Sequence, residues 1–280
     1  MTRKTRNIIV GTVTLVLVAG ALWLGDAFLG NPVSKLMATR TAEAYLAETY
    51  PDTDYEIERV GYSFKDGEYH AFVQSPSSKD TTFTFYITKG GKLRLDTFER
   101  VSSRDNTAAR LDEAYRALTD CVFEGADFPY QSESAYGTLA FTRKAFVNNP
   151  EFSDVPSYAV VQDDLILDGA YDVRALGKQS GRLVVYVDGN DVGAEEAARV
   201  MCDIRRVFDE ADVPFRAMDF VLRHSEADDG TRPQGEIHVA DFLYEDIHPD
   251  GMTARVREAD AALSAAYARE DAEKAREIKQ

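Results

Sequence analysis

Thiols and imidazoles are scarce in this chain. It holds two cysteines, Cys121 and Cys202, and four histidines, His70, His224, His238 and His248. Zinc sites draw on several His, Cys or carboxylate ligands at tight spacing. No pair of these histidines has the spacing of one helical turn, so metal-hydrolase chemistry has no ligand set to start from. His224 and His238 fall on two strands expected to pair, and two surface histidines on a hairpin account for the same placement. Glycine-rich phosphate loops are missing too. Lys89-Gly90-Gly91-Lys92 lacks the glycine spacing and the following helix that cradle a phosphate, and reads as a hairpin turn. There is no Gly-x-Ser-x-Gly elbow for a serine hydrolase, since Gly61-Tyr62-Ser63-Phe64 lacks the second glycine. Catalytic, cofactor-binding and metal-binding residues are therefore assigned to none.

Calcium has a closer near-miss. Asp188-Gly189-Asn190-Asp191-Val192-Gly193 opens like an EF-hand loop. Val192 then stands where an oxygen ligand is needed, and Arg199 where the bidentate glutamate belongs. A strand-to-helix turn with an Asn or Asp cap explains the segment. Asp163-Asp164 with Asp168, and Glu245-Asp246, lie near expected strand ends as candidate weak cation sites or plain surface acids. Nothing marks out two carboxylates for glycoside hydrolysis.

Positive charge is also in short supply, with 32 Lys and Arg against 48 Asp and Glu, a net −16. Three of the 32 basic residues are Arg3, Lys4 and Arg6; the remainder of the chain has 29 against 48, or −19. Such a surface repels phosphate backbones and anionic headgroups, which excludes nucleic acid as a partner. The hydrophobic content of 44%, with 15 Phe and 14 Tyr, is enough to build a core, unlike the composition of disordered chains.

What the sequence does contain is an apolar run. Ile8 to Leu29 reads IIVGTVTLVLVAGALWLGDAFL, with Asp26 its sole charge. About 20 helical residues cross a bilayer core, and only a helix satisfies its own backbone there. Arg3, Lys4 and Arg6 precede it, so the positive-inside rule expects a cytoplasmic N-terminus and an extracytoplasmic bulk on a single-pass cell-membrane protein. A cleaved signal peptide competes, but its apolar region is shorter and ends in a small-x-small site. No cysteine near the run offers itself for lipid attachment. In an exported chain Cys121 and Cys202 form a candidate disulfide that clasps the two halves together. The other reading is two buried free thiols.

The fold class expected is α+β: one N-terminal transmembrane helix followed by two small α+β domains with antiparallel sheets. The boundaries are 1–7 for a cytoplasmic tail, 8–29 for the span and 34–120 for a first domain of helix, four-strand meander and helix. A linker of irregular structure, 121–157, precedes a second domain, 158–270, built as strand–helix–strand–strand–helix; 271–280 is a frayed tail. Ser34 caps the first helix, which presents Met37, Ala44 and Tyr45. Lys65-Asp66-Gly67-Glu68 suits a type I′ hairpin turn. Ala108, Leu111, Tyr115 and Leu118 form one helical stripe. A second stripe is formed by Ala197, Val200, Met201, Ile204, Val207, Phe208 and Ala211. Strands are expected at 159–167, 181–188, 215–223 and 236–244, and a last helix uses Val256, Ala259, Leu263, Ala266 and Tyr267.

The stretch Glu236 to Gly251, EIHVADFLYEDIHPDG, resembles an ending that recurs in the YfjL-like proteins of Gram-positive bacteria. Tyr171-Asp172-Val173 and Phe215 to Leu222, FRAMDFVL, are similar to that family as well, and FLYEDI at 242–247 is the most specific part. The resemblance implies an anchored extracytoplasmic protein and assigns no activity and no functional residues. The expected role is a non-catalytic binding or protein-interaction module with a membrane or cell-surface protein partner and no identifiable small-molecule ligand. The alternatives are an accessory or regulatory subunit of a membrane complex, or an enzyme with a dispersed site.

Overall fold

The computed structural model describes residues 3, 5, 11–15, 17, 20, 25, 28–147, 149, 152, 155–227 and 230–277. More than half of the expected span at 8–29 lies outside these residues, and the described ones within it are helical. Among the described residues no helix is long and apolar enough to cross a membrane. The architecture is α+β, divided into two compact units, Met1–Thr107 with Ile166–Asp168, and Ala108–Leu165 with Gly169–Gln280.

In the first unit, Pro32 opens helix α1 (Pro32–Thr49). Asn31 rather than Ser34 caps it, its Oδ1 accepting from the Ser34 N–H at 2.8 Å; Ser34 is itself buried. Four strands follow as an antiparallel meander: β1 (Glu56–Ser63), β2 (Glu68–Ser75), β3 (Ser78–Thr88) and β4 (Leu93–Asp96). The connection from β1 to β2 has one positive φ, at Gly67, so it is not the type I′ turn expected, which needs two. The face that α1 buries is Ser34, Ala38 and Ala42, not Met37 and Ala44. Small residues are needed there because Tyr69, Phe83, Phe85 and Ile87 from the sheet fill the interior. Tyr50 sits among Tyr45, Tyr55, Phe83, Phe85 and Phe98 at centroid distances of 5.0–6.5 Å, a range in which aromatic pairs attract. A short helix α2 (Glu99–Ser102) closes the meander. Asp168, at φ 60°, belongs to this unit through a reciprocal pair of bonds. The Asp80 N–H donates to its carboxylate, and its own N–H donates to that of Asp80, both at 2.9 Å.

The second unit takes nearly all of helix α3 (Asp105–Phe123). The sequence reading gave this helix to the first domain. Its stripe of Leu111, Tyr115 and Val122 is instead buried in the second core. Further along come β5 (Ser134–Leu139), β6 (Phe141–Thr142), β7 (Val160–Val161), α4 (Val173–Ser180), β8 (Gly181–Gly189), α5 (Ala194–Glu210), β9 (Ala217–His224), β10 (Glu236–Leu243) and α6 (Met252–Glu277). The main sheet runs β10-β9-β8-β5. Here the expectation of antiparallel sheets needs correction, because β8 and β9 are parallel. The helix α5 between them makes the crossover that returns the chain in the same direction. The expected linker at 121–157 supplies the edge strand β5, paired with β8. The expected strand at 159–167 shrinks to Val160–Val161 and a 3-10 turn at Gln162–Asp164.

Two devices hold this unit. The Gly137 and Leu139 N–H groups of edge strand β5 donate to Thr119 Oγ1 at 2.9 Å and to Asp112 Oδ1 at 2.6 Å, both on α3. Edge amides satisfied in this way no longer template another strand. A Cβ at Gly137 would stand 2.4 Å from Thr119 Cγ2, so the close approach of helix and strand needs glycine. The core stripe of α5 is as read from the sequence, except that Ala211 is its exposed C-cap. Gly193, with no side-chain bond, takes the N-cap expected of Asn or Asp. Helix α6 continues to Glu277, where a frayed tail was expected; residues 278–280 lie outside the described set. Lys274 and Glu270, one turn apart at 2.6 Å, are the kind of pair that supports an exposed helix.

Candidate functional site

A concavity of the second unit lies where α3 and α5 end. It has a volume of about 430 Å3, within the range of ligand sites. Leu118 and Val122 of α3, Val207 of α5 and Val213 after it form the base, while Cys121, Asp127, Arg174, Glu210 and Ala211 stand around the rim. Helical spacing explains the split. Val207 and Val122 belong to buried stripes, and the residues beside them on the same turns reach the opening. Asp172 caps α4, accepting from Arg174 N–H and Ala175 N–H at 3.0 and 3.1 Å. Arg174 Nε is fixed on the Asp212 carbonyl at 2.8 Å. Glu210 is paired with Arg206 at 2.9 Å. An apolar base under two acids and one committed arginine suits an apolar side chain with basic neighbours. No histidine is among its lining residues.

Both cysteines are free thiols. Cys121 is exposed at this rim, whereas Cys202 lines a different surface with Pro249, Met252 and Thr253. The candidate clasp is therefore not formed: Cys121 on α3 and Cys202 on α5 line different concavities. Burial pushes the Cys202 thiol above its ordinary pKa.

His224 and His238 do not meet. His238 stands opposite Val221 in the β9–β10 ladder, and Arg223 opposite Glu236, so the two imidazoles are offset along the strands. His238 contacts the Tyr267 ring instead. Among the acidic candidates, Asp163 accepts from the Lys144 N–H at 2.8 Å, and Glu245 is held by Arg216 at 2.6 and 3.1 Å. Among the described residues no group of three or more His, Cys, Asp or Glu is placed to hold a metal ion.

Asp188 has a different use. It lies at the carboxyl end of β8, beside the parallel partner β9, where open sheets with crossover helices commonly bind ligands. The position is filled from within the chain. Arg223 Nε donates to Asp188 Oδ1 at 2.8 Å, Arg232 also donates to it, and both guanidiniums reach Glu133. Burial pushes the Asp188 carboxyl up, but the bonds from Arg232 and Arg223 outweigh it and hold the group below the usual carboxylate range.

Two family models cover the chain: YfjL-like, N-terminal domain, over residues 5–97, and YfjL-like C-terminal domain, over residues 102–257. The chain belongs to the YfjL-like family. No curated protein and no solved structure matches it. The segment 242–247 that carries the YfjL-like resemblance has a structural use. Phe242 and Ile247 are buried in the core of the C-terminal domain. Between them the Tyr244 hydroxyl donates to Asp209 at 2.8 Å, and the Arg205 guanidinium lies 4.1 Å above the Tyr244 ring. The YfjL-like signature thus rivets the end of β10 to α5. Asp246 closes a 3-10 turn, its carbonyl accepting from Arg255 at 3.0 Å. Sequence reasoning treated Leu118 and Val207 as core alone and passed over Asp127 and Arg174. The only signal for the groove was that two apolar stripes both run to the ends of their helices.

Proposed function

We propose that this YfjL-like protein is a single-pass, membrane-anchored extracytoplasmic protein whose two domains form a non-catalytic binding module. The groove at the ends of α3 and α5 is its binding site. The groove's apolar base carries the reading, because no reactive constellation accompanies it. Its acidic rim suits a protein segment that presents an apolar side chain between basic residues, as a membrane or cell-surface partner. The location is supported by the apolar run at 8–29 and by Arg3, Lys4 and Arg6 before it.

The exposed Cys121 reports on location directly. In intact cells a membrane-impermeant maleimide should label the Cys202→Ser variant, and the further change Cys121→Ala should remove the label. Labelling that appears only after permeabilisation overturns the extracytoplasmic placement. For the groove, a photo-crosslinking amino acid at exposed Ala211 should give one reproducible protein adduct in cells. The same group at exposed Ala265 on α6 should not. Identical adducts from both positions, or none from either, refute the groove.

A further inference from the structure

The first domain is electrically and chemically lopsided. Pairing of Ser63 with Glu68, Glu68 with Thr88 and Ile87 with Leu93 brings the β1–β2 and β3–β4 turns to one end of its sheet. The chain leaving the 8–29 run arrives at that same end and is fastened there. The Asn31 N–H donates to the Tyr69 hydroxyl, which donates in turn to the Asn31 carbonyl, both at 2.9 Å. Gly30 has φ +70°, and a Cβ there would stand 2.5 Å from the Tyr69 hydroxyl and 2.8 Å from Tyr62. The Phe28 ring lies 6.1 Å from that of Phe64 at the tip of the β1–β2 turn. The Thr41 hydroxyl donates to the Gly91 carbonyl of the β3–β4 turn at 2.7 Å, joining α1 to the same end.

Two properties coincide on this end. Large apolar side chains stand in the open: Leu29 is 81% exposed, Val33 68% and Phe64 59%. Around them are Lys35, Lys65, Lys89 and Lys92; Lys89 lies 4.9 Å over the Tyr62 ring, and Lys35, Lys65 and Lys92 are exposed. Among the described residues, Asp66 and Glu68 at this end are already engaged. Asp66 accepts from Ser63 and is paired with His70, and Glu68 is paired with Arg94 at 2.7 Å. The opposite end carries Asp52, Asp54, Glu56 and Glu58. A chain of net charge −16 thus keeps four lysines together with the exposed Phe28 and Phe64 where the apolar run enters.

We propose that this end of the first domain lies in the surface of an anionic membrane. Phe28, Val33 and Phe64 enter the boundary between headgroups and acyl chains, and the four lysines meet lipid phosphates. This face rests on the reading of residues 8–29 as an anchor. Apolar side chains beside lysines, whose long flexible stems let the charge reach the phosphates, are what interfacial binding requires. Each lysine near an anionic surface strengthens binding about fivefold.

The test uses the full chain in vesicles with brominated acyl chains, with a fluorophore on Phe64→Cys in a Cys121→Ser, Cys202→Ser background. The control label is on Lys79→Cys at the far end of the sheet. Quenching at position 64 should far exceed that at 79. It should be stronger with phosphatidylglycerol present than in phosphatidylcholine alone, and fall at least severalfold when Lys35, Lys65, Lys89 and Lys92 become Glu. A chain that floats with the vesicles while position 64 stays as unquenched as 79 overturns the face and leaves the anchor standing. A chain that does not float with the vesicles overturns both.

Discussion

Tyr115→Ala should remove about 3–5 kcal/mol of stability from the second domain, the cost of truncating a large buried aromatic side chain. Tyr115 is fully buried in the middle of α3, and the backbone around it is shaped to its ring. A Cβ on Gly177 would lie 2.5 Å from its Cε2, and one on Gly181 2.4 Å from its hydroxyl. Its hydroxyl donates to the Pro214 carbonyl at 3.0 Å, tying α3 to the segment that enters β9. Burial raises its pKa well above the ordinary tyrosine value, so the group stays a neutral donor. Tyr115→Phe keeps the ring and orphans one carbonyl, which costs about 1–3 kcal/mol. Amide exchange of Leu183 and Val185 in β8 of the intact chain measures both. An alanine variant within about 1 kcal/mol of the parent would show that α3 is not part of this core.

The Asp188 clasp should be nearly as costly to break. Its side chain is 7% exposed and faces two guanidiniums, Arg223 and Arg232. Removing one partner of a buried ion pair leaves the others uncompensated, typically at 3–5 kcal/mol. Glu133 remains to hold both arginines, so Asp188→Ala is expected to cost about 2–4 kcal/mol. The pH dependence has a definite sign. The folded-state pKa of Asp188 is depressed, so its contribution is fully present above the ordinary carboxylate value of about 4. It is lost as pH falls through the lower folded value. The parent should therefore lose stability on acidification more steeply than Asp188→Ala, and the two curves should converge in acid. Parallel curves would mean that the clasp contributes nothing. Arg232 also donates to the His224 carbonyl, so the variant should speed amide exchange in residues 230–235, the part of the β9–β10 connection that the clasp ties down.

Much of this protein is written in local pattern. Tyr69, Ala71 and Val73 alternate with the less buried His70 and Phe72 along β2, and the stripe from Ala197 to Phe208 marked α5. Each depends on a repeat that a few consecutive residues express. The apolar run at 8–29, the surplus of acid and the want of histidine and cysteine are likewise properties of the sequence alone. What tertiary structure decided are pairings between distant residues. Ser134–Leu139 is a strand because β8 lies beside it and α3 satisfies its free edge, and no period announces that. The parallel register of β8 and β9, the shift of α3 to the second core and the Glu133–Arg232 contact across 99 residues arise from long-range packing. So does the gathering of four lysines on one end of an acidic chain. Charge and periodicity are summed along the sequence, whereas a groove, a clasp or a face exists only where folding brings separate segments within a few ångströms.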